Sequence, residues 1–159
     1  MRRPTAYGVV YTSPLSVIYK MKINFEIEEN YAVQYKNRHI DLHNNFDFIE
    51  LADNAEKNEI TLKFTKAKGD WVKEGEFSRL IFLLKKVNYR YFEEGDDSEF
   101  PEDAKRLGEI TFFPSNLREV NDSFTLQKNP GENDDLMFLF ENGRVVRVNC
   151  EEAELIVEE

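Results

Sequence analysis

From Tyr19 to Ile27 the chain alternates strictly: Tyr19, Met21, Ile23, Phe25 and Ile27 fall on one side, and Lys20, Lys22, Asn24 and Glu26 on the other. A period of two marks a strand with one buried face, because successive side chains of extended backbone point to opposite sides. The same period sets Ile60, Leu62 and Phe64 against Glu59, Thr61 and Lys63, and Phe46 and Phe48 against Asp47. Both segments are read as strands. The stretch RLIFLLKKVNYRYF, residues 79–92, is apolar on both sides at first and then alternates, with Val87, Tyr89 and Tyr91 together. It predicts a long central strand, covered on both faces over its first half and bulged near Lys85 and Lys86.

Two more apolar runs, LMFLF and RVVRV, flank Glu141-Asn142-Gly143. An Asn-Gly step between such runs predicts a β-hairpin, since both residues accept the left-handed backbone of a tight turn. A last strand, Ala153 to Val157, follows a turn at Glu151 and Glu152. One stretch, FPEDAKRLG, predicts a helix near 101–107. Pro101 stands in its first turn, Glu102 and Asp103 at its positive end, Lys105 and Arg106 at its negative end, and Gly108 as its stop. NAEKN, AKGDW, EEGDDSE and KNPGEND carry turn-forming residues and separate the strands. The expected fold is mainly β: a single-domain antiparallel sandwich or partly open barrel of about eight strands with one short helix.

The domain is expected to span residues 21–159, with 1–20 as an N-terminal extension or first strand. The opening MRRPTAYGVV has the outline of a signal peptide, but Tyr11, Thr12, Ser13 and Pro14 interrupt its apolar run and no A-x-A step follows, so Met21 is read as an alternative start. A chain of 159 residues has material for one core, and its 13 Phe and 7 Tyr make that core aromatic. No apolar window reaches the ~20 residues of a membrane span. The lone Cys150 has no internal disulfide partner, which fits a reducing, cytoplasmic setting. The net charge of −10 belongs almost wholly to residues 92–159. Such a surface repels nucleic acid and anionic membranes and attracts a basic protein.

Candidate chemistry centres on HIDLH, which holds both histidines. Extended backbone would put His39, Asp41 and His43 on one face as metal ligands. The outer alpha carbons would then stand about 13 Å apart at about 3.3 Å per residue, so one zinc ion with bonds of ~2.0–2.1 Å would need both rings to lean inward. The trio is at most a half-site that needs a carboxylate from a neighbouring strand. Helical backbone would give the spacing of H-E-x-x-H, but Ile40 stands where the general-base Glu belongs. EEGDDSE and NPGENDD lack the ligand spacing of an EF-hand. Glu26 and Glu28 share a strand face, about 7 Å apart, without the aromatic platforms of a glycosidase cleft. Cys150 is followed by Glu151 and Glu152, whose charges suppress a thiolate, and neither a nucleophile elbow nor a phosphate-binding glycine loop occurs. KKVNYRYF interleaves cations with rings, as single-strand binders do, but a strand sends Lys86 and Arg90 away from Tyr89 and Tyr91.

The sequence is therefore read as a non-catalytic acidic interaction protein without a cofactor, such as an inhibitor or immunity-type protein that binds a basic partner. Glu93, Glu94, Asp96, Asp97, Asp134 and Asp135 are its candidate contacts, with Trp71 as a loop-borne aromatic anchor. The alternative is a metal-dependent enzyme or ligand-binding barrel on the His39, Asp41, His43 face. A third reading is a homo-oligomer joined through exposed strand edges.

Overall fold

The computed structural model describes residues 19–96, 98–121 and 127–159. Residues 1–18, and with them most of the expected extension, lie outside the described residues. Tyr19 and Lys20 already belong to the folded body: the Tyr19 carbonyl accepts from Asn133, and Lys20 bridges to Glu132.

The strands are β1 (Lys22–Ile23), β2 (Glu26–Glu28), β3 (Ala32–Tyr35), β4 (Arg38–Asp41), β5 (Phe46–Asn54), β6 (Glu59–Lys66), β7 (Arg79–Glu93), β8 (Leu107–Pro114), β9 (Asp134–Phe140) and β10 (Val145–Glu158). A one-turn helix, α1 (Leu42–Asn45), joins β4 to β5, and two short 3-10 turns occupy Pro101–Lys105 and Ser115–Leu117. The main sheet runs β5-β6-β7-β10-β9-β8, all antiparallel, and curls into a half-barrel; β1 adds to β10 in parallel. β2, β3 and β4 form a second, three-stranded sheet that lays Ile27, Val33 and Ile40 against the same core. The mainly β, single-domain fold expected from the patterning is the fold observed.

The alternation from Tyr19 to Ile27 puts Met21, Phe25 and Ile27 in the core, yet the run is not one strand. At Asn24 the chain leaves the main sheet for the small one. The Asn24 amide takes over the ladder there, donating to the Leu155 carbonyl at 3.0 Å and accepting from the Leu155 amide at 2.7 Å. At the middle of the core Phe82 meets Phe25, Phe64 and Phe138 edge-on, with centroids 5.4, 5.9 and 5.3 Å away. Each such pair contributes about 0.5–1.5 kcal/mol beyond the area it removes from water.

β7 departs from its expectation in two ways. Its first half is buried on one face only: Leu80, Phe82 and Leu84 are fully buried, whereas Ile81 and Leu83 are half-buried among Lys63, Thr61 and Glu154 of the flanking strands. The bulge lies at Asn88, because Asn149 pairs with Tyr89 and Cys150 with Val87. Lys86, just before it, has φ 55°. Val87 still faces the main core, and the extra residue after it sends Tyr89 and Tyr91 to the opposite face. The Asn-Gly hairpin forms as expected between β9 and β10, with Gly143 at φ 89°. The expected helix near 101–107 is a 3-10 turn ending at Lys105. Gly108 is not its stop but an unpaired residue of β8, where Leu107 pairs with Phe140 and Glu109 with Leu139.

Candidate functional site

At the end of the half-barrel that bears the β9–β10 turn, the segment after β7 is stitched to the hairpin at two points. The Asp96 amide donates to the Asn142 carbonyl at 2.7 Å, and the Glu141 amide donates to the Arg106 carbonyl at 2.9 Å. Gly95 permits the first stitch, since a Cβ there would fall 2.4 Å from the Asn142 side chain. Between the stitches the chain bows outward and leaves a cleft of about 330 Å³ lined by Asp96, Ser98, Glu99, Phe100, Asp103, Glu141 and Asn142. Asp96 organises the bow, accepting from the Ser98 amide at 3.0 Å and the Ser98 hydroxyl at 2.7 Å. Pro101 then fixes the φ of the 3-10 turn that presents Asp103.

Among the described residues four carboxylates line this cleft, from Asp96, Glu99, Asp103 and Glu141. Phe100 adds an aromatic ring that is 65% exposed. Like charges gathered at a partly enclosed surface focus a negative potential, and a cation that enters loses less to water than at an open face. An aromatic ring beside such a site adds a cation–π contact worth about 0.5–1 kcal/mol when exposed.

The other candidates divide. Glu93 and Glu94 lead into the cleft at the end of β7, where Glu93 pairs with Val145. Asp97 lies outside the described residues. Asp134 and Asp135 do not join this surface: they begin β9 and are buried, which corrects their assignment to a partner-facing patch. Asp134 accepts from the Gly131 amide and from Gln127. Asp135 accepts from Arg147 at 2.7 Å, from Arg118 at 2.8 and 3.0 Å, and from Asn149 at 2.8 Å. Arg147, equally buried, donates onward to the carbonyls of Pro114, Leu117 and Val120 and to Asn121. This network straps residues 114–121 over the second face of the sheet, where Tyr91, Phe113, Met137 and Val145 pack. Arg118 lies 3.6 Å above the Tyr89 ring. Burial pushes the Tyr89 and Tyr91 phenols up, so both rings enter this packing uncharged.

HIDLH is not extended throughout. β4 ends at Asp41, whose carboxylate caps α1 by accepting from the Asn44 amide at 2.9 Å, so the chain turns before His43. His39 pairs with Glu28 at 2.7 Å on the exposed face of the small sheet. His43 donates through Nδ1 to the Leu107 carbonyl at 2.6 Å and stands 3.7 Å from Glu141. The three side chains thus have separate partners, which corrects the one-face reading. Among the described residues no three His, Cys, Asp or Glu side chains group to hold a metal ion. Trp71 is 65% exposed, with its ring against Gly69 and its Nε1 donating to the Asn44 carbonyl at 2.9 Å. Burial pushes the Cys150 thiol up, and Asp135 adds to the effect ahead of Glu151 and Glu152.

Sequence reasoning singled out EEGDDSE and the Asn-Gly turn separately and missed their meeting, and with it the placement of Phe100, Asp103 and Glu141 along one cleft. The meeting depends on strand order: β7 pairs with β10, which brings its end beside the hairpin, and no residue pattern announces that pairing. Among the described residues no helix is long and apolar enough to cross a membrane. No protein-family model, curated protein or solved structure matches the chain.

Proposed function

We propose that the chain is a non-catalytic interaction module whose acidic cleft receives a basic segment of a protein partner, an inhibitor or immunity-type role being its most concrete form. The carrying observation is the cleft itself: four carboxylates along one opening, with the exposed Phe100 beside them. Its proposed contacts are Glu93, Glu94, Asp96, Glu99, Phe100, Asp103 and Glu141. A cationic side chain entering between Glu99, Asp103 and Glu141 would gain from several carboxylates at once while its stem packs on the Phe100 ring.

The test uses a fluorescent nona-arginine peptide as probe and follows its anisotropy. The triple variant Glu99→Gln, Asp103→Asn, Glu141→Gln is compared with Glu56→Gln, Glu74→Gln, Glu119→Gln, which removes the same charge elsewhere. The first is expected to weaken binding at least tenfold and the second less than twofold, with the wild-type affinity falling as salt rises. Equal weakening in both triples would make the attraction a property of net charge and overturn the assignment.

A further inference from the structure

The loop that carries Trp71 and the cleft are joined by a continuous series of contacts. α1 is a single turn, too short to hold itself together by its own hydrogen bonds, so bonds from outside fix its place. At its start Asp41 caps it, and the Tyr31 carbonyl accepts from the Leu42 and His43 amides at 3.0 and 3.3 Å. At its end the backbone carbonyls need partners. The Ala67 amide takes that of Asn45 at 2.9 Å, and the Trp71 indole takes that of Asn44 at 2.9 Å. The indole itself is held flat by Gly69, where any Cβ would fall 2.2 Å from ring atoms. On the other side of α1, His43 reaches the Leu107 carbonyl and Glu141.

We infer that Trp71 is a positioning residue for the cleft: its indole N–H seats α1, which sets the His43 imidazole against Leu107 and beside Glu141. A carbonyl only accepts, so the contact with Leu107 fixes the hydrogen of the neutral imidazole on Nδ1. An exposed ring that bears on a residue lining the cleft gives the loop at 67–77 a mechanical hold on that site. The inference concerns the cleft of the proposed partner site, but its test reads the imidazole and not the partner, so either can fail alone.

Imidazole nitrogen NMR in mildly alkaline solution reads the tautomer directly. In the wild-type chain His43 is expected as a single Nδ1–H species. Trp71→Phe keeps a ring over Gly69 but lacks the N–H, and Gly69→Ala displaces the ring. Both are expected to lose the pure Nδ1–H signature of His43 while His39, held by Glu28, stays unchanged as an internal measure of folding. If Trp71→Phe leaves His43 as pure Nδ1–H, the inference is overturned, whether or not Gly69→Ala perturbs it, because the ring's packing and not its hydrogen bond would then be at work.

Discussion

Arg147 and Asp135 are both fully buried, and their desolvation is offset only because each has several partners. Arg147 ties the strap at 114–121 to the sheet, and Arg118 of the strap ties back to Asp135. Removing Arg147 leaves a buried carboxylate short of a partner and the strap's carbonyls without their donor. Arg147→Met is therefore expected to cost about 3 kcal/mol or more. Arg118→Met leaves Asp135 its buried partner and is expected to cost nearer to about 1 kcal/mol. Urea denaturation checks both, and a loss below that of Arg118→Met in the Arg147 variant would contradict the hierarchy. The pair was half legible beforehand. In RVVRV a cation sits among valines of a strand buried on both faces, which demands a carboxylate nearby. The hairpin register places Arg147 opposite Met137, so Asp135 is its diagonal neighbour on the same face. Composition alone hid this, because NPGENDD has the look of a solvated loop until its last two acids are assigned to a strand.

The strands read from alternation at 59–64 and from the Asn-Gly turn form where expected. In the β9–β10 hairpin Gly143 has φ 89° with nothing within 4 Å of a Cβ. Gly143→Ala is thus expected to cost about 1–2 kcal/mol through backbone conformation alone. Gly75→Ala, equally open but without a positive φ, is expected to be neutral or slightly stabilising. Thermal melting of the two variants distinguishes them, and equal midpoints would contradict the turn assignment. β8 was not legible as a strand. Ile110, Thr111, Phe112 and Phe113 are all buried, so the sequence shows no alternation there, and the preceding helix-like FPEDAKRLG claims its start. The Tyr19–Ile27 run was legible in its buried face but not in its break, because what divides it is a side-chain amide acting as backbone at Asn24. HIDLH misled for a related reason: Asp41 has strand spacing to His39 yet serves as a helix cap, and a cap interrupts any period that runs through it.

Across the whole molecule, the net charge of −10 only makes a basic partner plausible, whereas curling the sheet and stitching the 96–106 bow to the hairpin gathers four carboxylates and an aromatic ring at one place. The acidic run was legible as a candidate, and its location was not, since two strands, β8 and β9, separate in sequence what the fold joins. Screening over about 8 Å at physiological ionic strength leaves such a cluster stronger than the same charges spread over the surface. The most direct test is a two-dimensional NMR titration of the full chain with nona-arginine at physiological ionic strength. Saturable amide shifts confined to Glu93–Asp103 and Glu141–Gly143 are expected. Shifts spread evenly over the acidic C-terminal strand from Glu151 to Glu159, or no saturable shift at the cleft, would contradict the assignment.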